Sequence, residues 1–299
     1  MPAIAPTLLV SGASGQLGRR VVELLLESQP GPVVVTTRHP EKVAALAARG
    51  AVVRPADFDA PGSLDAAFAG VERLLLVSTD VIGEPGRRIT QHRNAVEAAR
   101  RAGVRHVVYT SFTRPEPDSP STIARDHWAT EQALAESGLG FTVLRNNIYM
   151  DMLMYSLPEA VATGRLVSAT GSGATAYVSR EDCARAAAAA LRSSFDGRRT
   201  LEVSGPSAVT QAELARLASS LSGRPVEHVA VDAAQLEAGL LARGLPEAVV
   251  KAYATFDAAV AQGRLAGVFP TVEALTGRAP ISVESFLSGV RDRFQAAKG

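Results

Sequence analysis

The chain has 299 residues, 46% of them apolar and 20% charged, with 31 lysines and arginines against 30 aspartates and glutamates. That balance leaves no net field to select a nucleic acid or a membrane surface as partner. No apolar run reaches the ~18 residues of a membrane span, and the first residues lack the basic n-region and cleavage pattern of a secretory leader. The single cysteine, Cys183, excludes an internal disulfide, so a soluble protein of the reducing cytoplasm is expected. His39, His92, His106, His127 and His228 are scattered without metal-ligand spacing, and no metal site is expected.

Taken in chain order, Thr7–Val10 (TLLV) predicts a first strand. Gln16–Glu27 predicts a helix, with apolar residues at Leu17, Val21, Leu24 and Leu25. Between them GASGQLG sets Gly12, Gly15 and Gly18 as GxxGxxG at a strand-to-helix turn. In such a turn Gly12 permits the bend, Gly15 lets a pyrophosphate approach the backbone, and Gly18 lets the helix lie close to the strand. The helix N-terminus adds unpaired amides and positive partial charge. Gly12, Ser14, Gly15, Gln16 and Leu17 are therefore the expected phosphate-binding residues of a dinucleotide site. Strands follow at Val33–Thr37, Ala51–Arg54, Arg73–Ser78, His106–Thr110 and Phe141–Arg145. Helices alternate with them at Glu41–Arg49, Ser63–Ala69, Arg87–Ala102 and Ile123–Ser137, each closed by a glycine. Right-handed crossovers and a parallel sheet follow: an α/β fold, a Rossmann-type doubly wound parallel sheet with a smaller C-terminal lobe. After Asn146 come a helix, the glycine-rich TGSGA (170–174), a helix at Glu181–Leu191 and a strand near Thr200–Val203, then amphipathic segments. The expected division is a nucleotide-binding domain over 1–145, with returning segments at about 175–205, and a substrate-binding lobe over 146–299.

An NAD-preferring site places an acidic residue about 20 residues past the glycines, to accept from the ribose 2′-hydroxyl. Here TTRHPEK follows the second strand: Thr36 and Thr37 replace the acid, and Arg38 offers a guanidinium to a 2′-phosphate. NADPH is the expected cofactor. Asp57 and Phe58, beyond the third strand, are placed to receive the adenine, and Ser78 and Thr79, ending the fourth, lie near the same crevice. Ser111, ending the fifth, is expected near the nicotinamide. A short-chain dehydrogenase would next show Tyr and Lys four residues apart, but the only lysines are Lys42, Lys251 and Lys298, so no YxxxK exists. HWATE stands in its place and puts His127 and Glu131 on one helix face.

GASGQLG, TTRHPEK, VSTDVIG followed by QHRN, YTSF, HWATE and LRNNIY (144–149) together resemble the NmrA-like, atypical short-chain dehydrogenases. Within that group the pattern is most similar to bacterial NADPH-dependent quinone oxidoreductases, with triphenylmethane-dye reductases close by. The resemblance runs to about residue 205. It implies NADPH held by the glycine loop and Arg38, and a nicotinamide end flanked by Asn146, Asn147 and Tyr149. Asn147-Ile148 departs from the glycine and aromatic of the quinone reductases, which leaves the acceptor open.

The missing dyad selects among acceptors. Hydride added to a ketone makes an alkoxide, whose conjugate acid has a pKa near the ~15.7 of water, so an enzymatic acid is required. Hydride added to a quinone makes a phenolate-like anion with a pKa around 10, about 8 kcal/mol less demanding, and water serves. His127 and Tyr149 are the candidate catalytic residues, and Phe112, Trp128 and Tyr149 the candidate platforms for a small aromatic or quinonoid substrate. TRPEPDSPST (113–122) reads as a loop beside the site. The expected assembly is a monomer or homodimer. A carbonyl or dye reductase, an NADP(H)-sensing regulator without turnover, and an isomerase or dehydratase remain alternatives; the absent YxxxK counts against the last.

Overall fold

The computed structural model describes residues 5–28, 31–81 and 84–295. Ile82 and Gly83 of the VSTDVIG stretch lie outside the described residues. The chain divides into two compact units: residues 1–111, 126–145 and 183–201 form the first, and 112–125, 146–182 and 202–299 the second. The two hold near-equal shares of the chain, so the second unit is smaller in sheet rather than in length.

The first unit is built on β1 (Leu8–Val10), β2 (Val33–Thr37), β3 (Val52–Pro55), β4 (Arg73–Leu76), β5 (His106–Phe112), β6 (Gly140–Asn146) and β9 (Arg198–Val203). Their order in one seven-stranded sheet is β3-β2-β1-β4-β5-β6-β9. β1 pairs in parallel with both β2 and β4, as do β2 with β3 and β4 with β5. Helices supply the crossovers: α1 (Gln16–Ser28), α2 (Ala44–Ala48), α3 (Pro61–Phe68), α4 (Arg87–Arg101) and α5 (Thr122–Glu136). LLV of β1 and VVVTT of β2 are buried at every position, as a sheet covered on both faces requires. α1 buries Leu17, Val21 and Leu25, one stripe at four-residue spacing, each contributing about 1.5–3 kcal/mol.

Three details differ from expectation for local reasons. The second helix opens as a 3-10 turn, Pro40–Val43, because Val43 (φ −115°, ψ 14°) leaves the helical region before α2 begins. β4 ends at Leu76 because the Val77 amide donates to Ser11 Oγ and the Ser78 amide to Thr110 Oγ1. The returning segment narrows to 183–201, and Arg73 anchors its far end within the first unit. The buried guanidinium donates to the carbonyls of Leu191 (2.8 Å) and Phe195 (3.0 Å) and to Asp196 (2.7 Å).

The second unit contains α6 (Leu157–Thr163), β7 (Arg165–Ser168), β8 (Ala174–Thr175), β10 (Val209–Thr210), α8 (Gln211–Ser222), β11 (Glu227–Ala230), α9 (Ala233–Ala242) and α10 (Glu247–Ala261). Helix α7 (Arg180–Arg192) runs from it into the first. β7 pairs in parallel with β11, and β8 antiparallel with β10. Met150, Leu157, Leu166, Leu214 and Leu287 make its main core. Thr210 and Glu213 cap α8 reciprocally, each side chain bonded to the other's backbone amide.

Candidate functional site

Four strand ends of the first unit meet at a cavity of about 210 Å³. It is lined by Gly12, Ser14 and Gly15 after β1, by Thr36, Thr37 and Arg38 at the end of β2, and by Ala56, Asp57 and Phe58 after β3. Val77 to Val81 follow β4, and Gln91 comes from α4. The sheet order reverses between β1 and β4, and a doubly wound sheet opens its ligand crevice at that point. Eight expected cofactor residues are thus gathered: Gly12, Ser14, Gly15, Arg38, Asp57, Phe58, Ser78 and Thr79.

Gly12 makes the turn with φ +62°, in the left-handed region. The Gly15 amide donates back to Gly12 O (3.0 Å), so Gly15 contributes bare backbone rather than a free donor. The helical ladder starts with Arg19 N to Gly15 O (3.0 Å), which leaves the first-turn amides of Gln16 and Leu17 as helix-end donors. Gly18 answers to packing: a Cβ there would lie 2.4 Å from Gly12 O. Thr37 Oγ1 donates to Ser14 Oγ (3.2 Å) and accepts the His39 amide (3.0 Å), tying the end of β2 to the glycine loop. Arg38 is exposed and makes no hydrogen bond or ion pair among the described residues. Asp59 lies within its electrostatic reach, but Arg87 and Gln91 already hold that carboxylate and keep it below its usual range. A bare glycine turn, helix-end amides and an unpaired guanidinium suit a dinucleotide bearing an extra phosphate.

The groups expected near the reacting ring are also tightly bonded. Ser111 Oγ donates to Glu131 Oε1 at 2.6 Å, and Arg145 grips the same carboxylate through Nε (3.0 Å) and Nη2 (2.7 Å). His127 is 4% exposed. Arg88 Nη2 donates to its Nε2 (2.8 Å), which requires the ring proton to sit on Nδ1, facing Tyr109 Oη at 2.7 Å. Burial, and then the charge of Arg88, push the His127 pKa well below its usual value. The imidazole is thus buried and bonded at both ring nitrogens, an arrangement that weighs against its expected catalytic role. His92 is sealed likewise, accepting the Thr79 amide at Nε2 (3.0 Å) with Nδ1 against Thr130 Oγ1 (2.9 Å), and burial lowers its pKa to about 3. Trp128 is half-buried on α5 and is not among the cavity-lining residues.

In the second unit, Tyr149 Oη accepts from Asn146 Nδ2 (3.2 Å), and the Arg180 guanidinium lies 5.6 Å from its ring centroid, pinned by Asp151 at 2.7 Å. Asn147 is tied at both ends of its amide, to Leu265 O (2.9 Å) and the Ile148 amide (2.8 Å), and so braces the backbone there. Phe112 meets Phe256 edge-on at 5.7 Å and, with Ile148, packs against Ala259, Val260 and Leu265. Sequence reasoning missed Gln91, Phe256, Arg180 and the Arg145 fork. Gln91 carried a signal as the first residue of QHRN and Arg145 as the second of LRNNIY; Phe256 and Arg180 have no local motif. Among the described residues no group of three His, Cys, Asp or Glu is placed to hold a metal, and no helix is long and apolar enough to cross a membrane.

A family model described as NAD(P)H-binding matches residues 12–194. Quinone oxidoreductase 2 of Escherichia coli is 36% identical over 271 residues, which make up 90% of this chain and 93% of that protein. The structure of an E. coli NADPH-dependent quinone oxidoreductase complexed with NADPH matches with a TM-score of 0.90 at 35% identity, covering 95% of this chain and 99% of that one. The Citrobacter sp. triphenylmethane reductase complexed with NADP(H) matches at 0.87 and 31% identity, over 97% of this chain and 99% of that one.

Proposed function

The chain belongs to the NAD(P)H-binding family, and from that premise we propose that it is an NADPH-dependent reductase acting on a quinone or similarly flat conjugated acceptor. The bound dinucleotide supplies the hydride; the residues of this chain bind, orient and withhold protons. The helix-end amides of Gln16 and Leu17, beside Gly12, Ser14 and Gly15, hold the pyrophosphate, and Arg38 holds the 2′-phosphate. Asp57, Phe58, Ser78 and Thr79 wall the adenosine end.

The choice of acceptor rests on one observation: the first unit's proton-bearing groups around β5 and α5 are committed to one another. Ser111 gives its proton to Glu131, Thr130 to Asp126 O, and neutral His127 faces Tyr109, a fully buried phenol. A ketone acceptor would find no acid among these groups. An acceptor whose product anion is as stable as a phenolate, or a cationic dye carbon that needs no proton, requires none. The quinone and triphenylmethane reductases named above point the same way. We place the chain in the cytoplasm, whose reducing poise suits a single buried cysteine, Cys183, outside any disulfide. The test is NADPH oxidation with and without a simple benzoquinone, corrected for the uncatalysed reaction. No enzyme-dependent increment with any quinone or cationic dye would sink it.

Two expected outcomes follow. Arg38→Ala weakens NADPH by about 1.5–3 kcal/mol, ~10–150-fold, through loss of a charge-assisted contact, while NADH is nearly unaffected. Equal weakening of both cofactors in binding titrations would take Arg38 off the 2′-phosphate. His127→Ala slows the hydride step by less than about tenfold, against the 10²–10⁴-fold typical of a lost general acid. It lowers stability by about 1.5–3 kcal/mol, because buried Arg88 loses an acceptor. Single-turnover kinetics beside urea unfolding separates the two; a thousandfold slower step would restore the histidine to catalysis.

A further inference from the structure

QHRN, residues 91–94, lies on α4, and three of its four side chains serve the walls of the nucleotide cavity. His92 accepts the Thr79 amide (3.0 Å) and so fixes the loop after β4. Asn94 Nδ2 donates to Phe58 O (2.8 Å) and fixes the loop after β3. Gln91, 2% exposed, lines the cavity with residues of both loops. Its Nε2 donates to Asp59 Oδ2 (2.9 Å), a carboxylate that Arg87 also grips at 2.7 and 3.4 Å. Its Oε1 is buried and has no hydrogen-bond partner among the described residues.

A buried carbonyl oxygen without a donor is costly, and on a residue that lines a cavity it calls for a donor on the ligand. We propose that Gln91 reads the base of the dinucleotide: its Oε1 accepts the exocyclic amino group of adenine and rejects a purine with an oxygen there. The inference rests on the NADPH reading above. The amide cannot simply turn over to suit a 6-oxo purine. Turned, Oε1 would face the Asp59 carboxylate oxygen at the 2.9 Å now spanned by a hydrogen bond. Asp59 therefore holds Nε2 and fixes which way round the amide stands. Asp57, the acceptor expected from sequence, is less available: its Oδ1 already takes the Asp59 amide (3.0 Å), and its backbone is pinned on both sides by Ser63.

The test is calorimetric binding of NADPH and of its hypoxanthine analogue, deamino-NADPH, to the full chain and to Gln91→Met, Asp59→Asn and Asp57→Asn. The parent protein should bind NADPH about 10–100-fold more tightly than the analogue, the cost of opposing two buried acceptors. Gln91→Met should bring NADPH down to the analogue's affinity and leave the analogue unchanged, which also shows an intact pocket. Asp59→Asn releases the lock, so the amide turns, the analogue gains and the ratio narrows. If Gln91→Met binds neither nucleotide, the Asp59→Asn ratio decides. Equal affinities in the parent protein, a ratio surviving both variants, or a ratio abolished only by Asp57→Asn would each overturn the assignment. A parent protein that binds neither nucleotide would overturn the NADPH reading itself, and this inference with it.

Discussion

Gly18→Val abolishes nucleotide binding and lowers the melting temperature, whereas Gly15→Val abolishes binding at a nearly unchanged melting temperature. The two glycines share one loop but meet different obstacles. A Cβ on Gly18 would stand 2.4 Å from Gly12 O, 2.9 Å from Gly12 C and 3.1 Å from Ser11 O. All three are backbone atoms, so relief requires α1 to lift from β1 or the Gly12 turn to open. Overpacking of this kind costs about 1–3 kcal/mol, and in a chain this size each kcal/mol moves the melting temperature by about 2–4 °C. The same shift carries the helix-end amides of Gln16 and Leu17 away from the phosphates, and a displacement of about 1 Å is enough to lose 10²-fold. On Gly15 a Cβ would meet only Gly12 O, at 3.3 Å, a contact that a few tenths of an ångström relieves. The side chain itself then occupies the cavity that Gly15 lines. Thermal unfolding without ligand, beside NADPH titration, separates the pair. Equal melting temperatures for the two variants would remove Gly18 from the packing of α1.

Acidification from pH 7 to pH 5 lowers the folding free energy steeply. His92, His106 and His127 are buried neutral, and burial is the leading cause that lowers each pKa: to about 3 for His92, to about 4 for His106, and well below the usual value for His127. Arg88 opposes charge on His92 and His127, and Arg73 on His106. In the unfolded chain all three titrate near 6.5. The sign follows: below pH 6.5 the unfolded state binds protons that the folded state refuses, so stability falls with pH. The stabilisation is whole above pH 6.5 and is lost progressively down to the folded-state values. By pH 5 His92 and His106, with folded-state values near 3 and 4, each withdraw about 2 kcal/mol, and His127 acts in the same direction, a large share of the 5–15 kcal/mol of a typical fold. The carboxylates with lowered pKa, such as Asp59 and Glu213, release their share only at more acid pH. Urea unfolding at stepped pH measures the slope, which should approach uptake of three protons per molecule, and of two in His92→Gln. Stability that stays flat between pH 7 and 5 would show that these imidazoles are already charged in the fold.

Residue order reveals what short-range physics decides. The glycine turn, the alternation of strands and helices, and the arginine after β2 each depend on residues within one or two turns of chain. Periodicity, helix stops and backbone freedom are all local properties, so eight cavity residues are legible in the order of amino acids alone. Partners far apart in the chain account for the rest. β7 (RLVS) and β11 (EHVA) lack the continuous apolar run of the central strands and exist as strands because they pair with each other. His127 has the look of a reactive group beside Glu131, and only the arrival of Arg88 from α4 and Tyr109 from β5 turns it into a sealed neutral ring. Phe256 reaches Phe112 across more than a hundred residues, which no local motif records. Gln91 is one polar residue among many in the sequence; burial of its oxygen and the hold of Asp59 on its nitrogen give it an orientation. Orientation and desolvation arise from distant groups packed together. For that reason the dinucleotide loop can be read from residue order, while the proton inventory that selects the acceptor cannot.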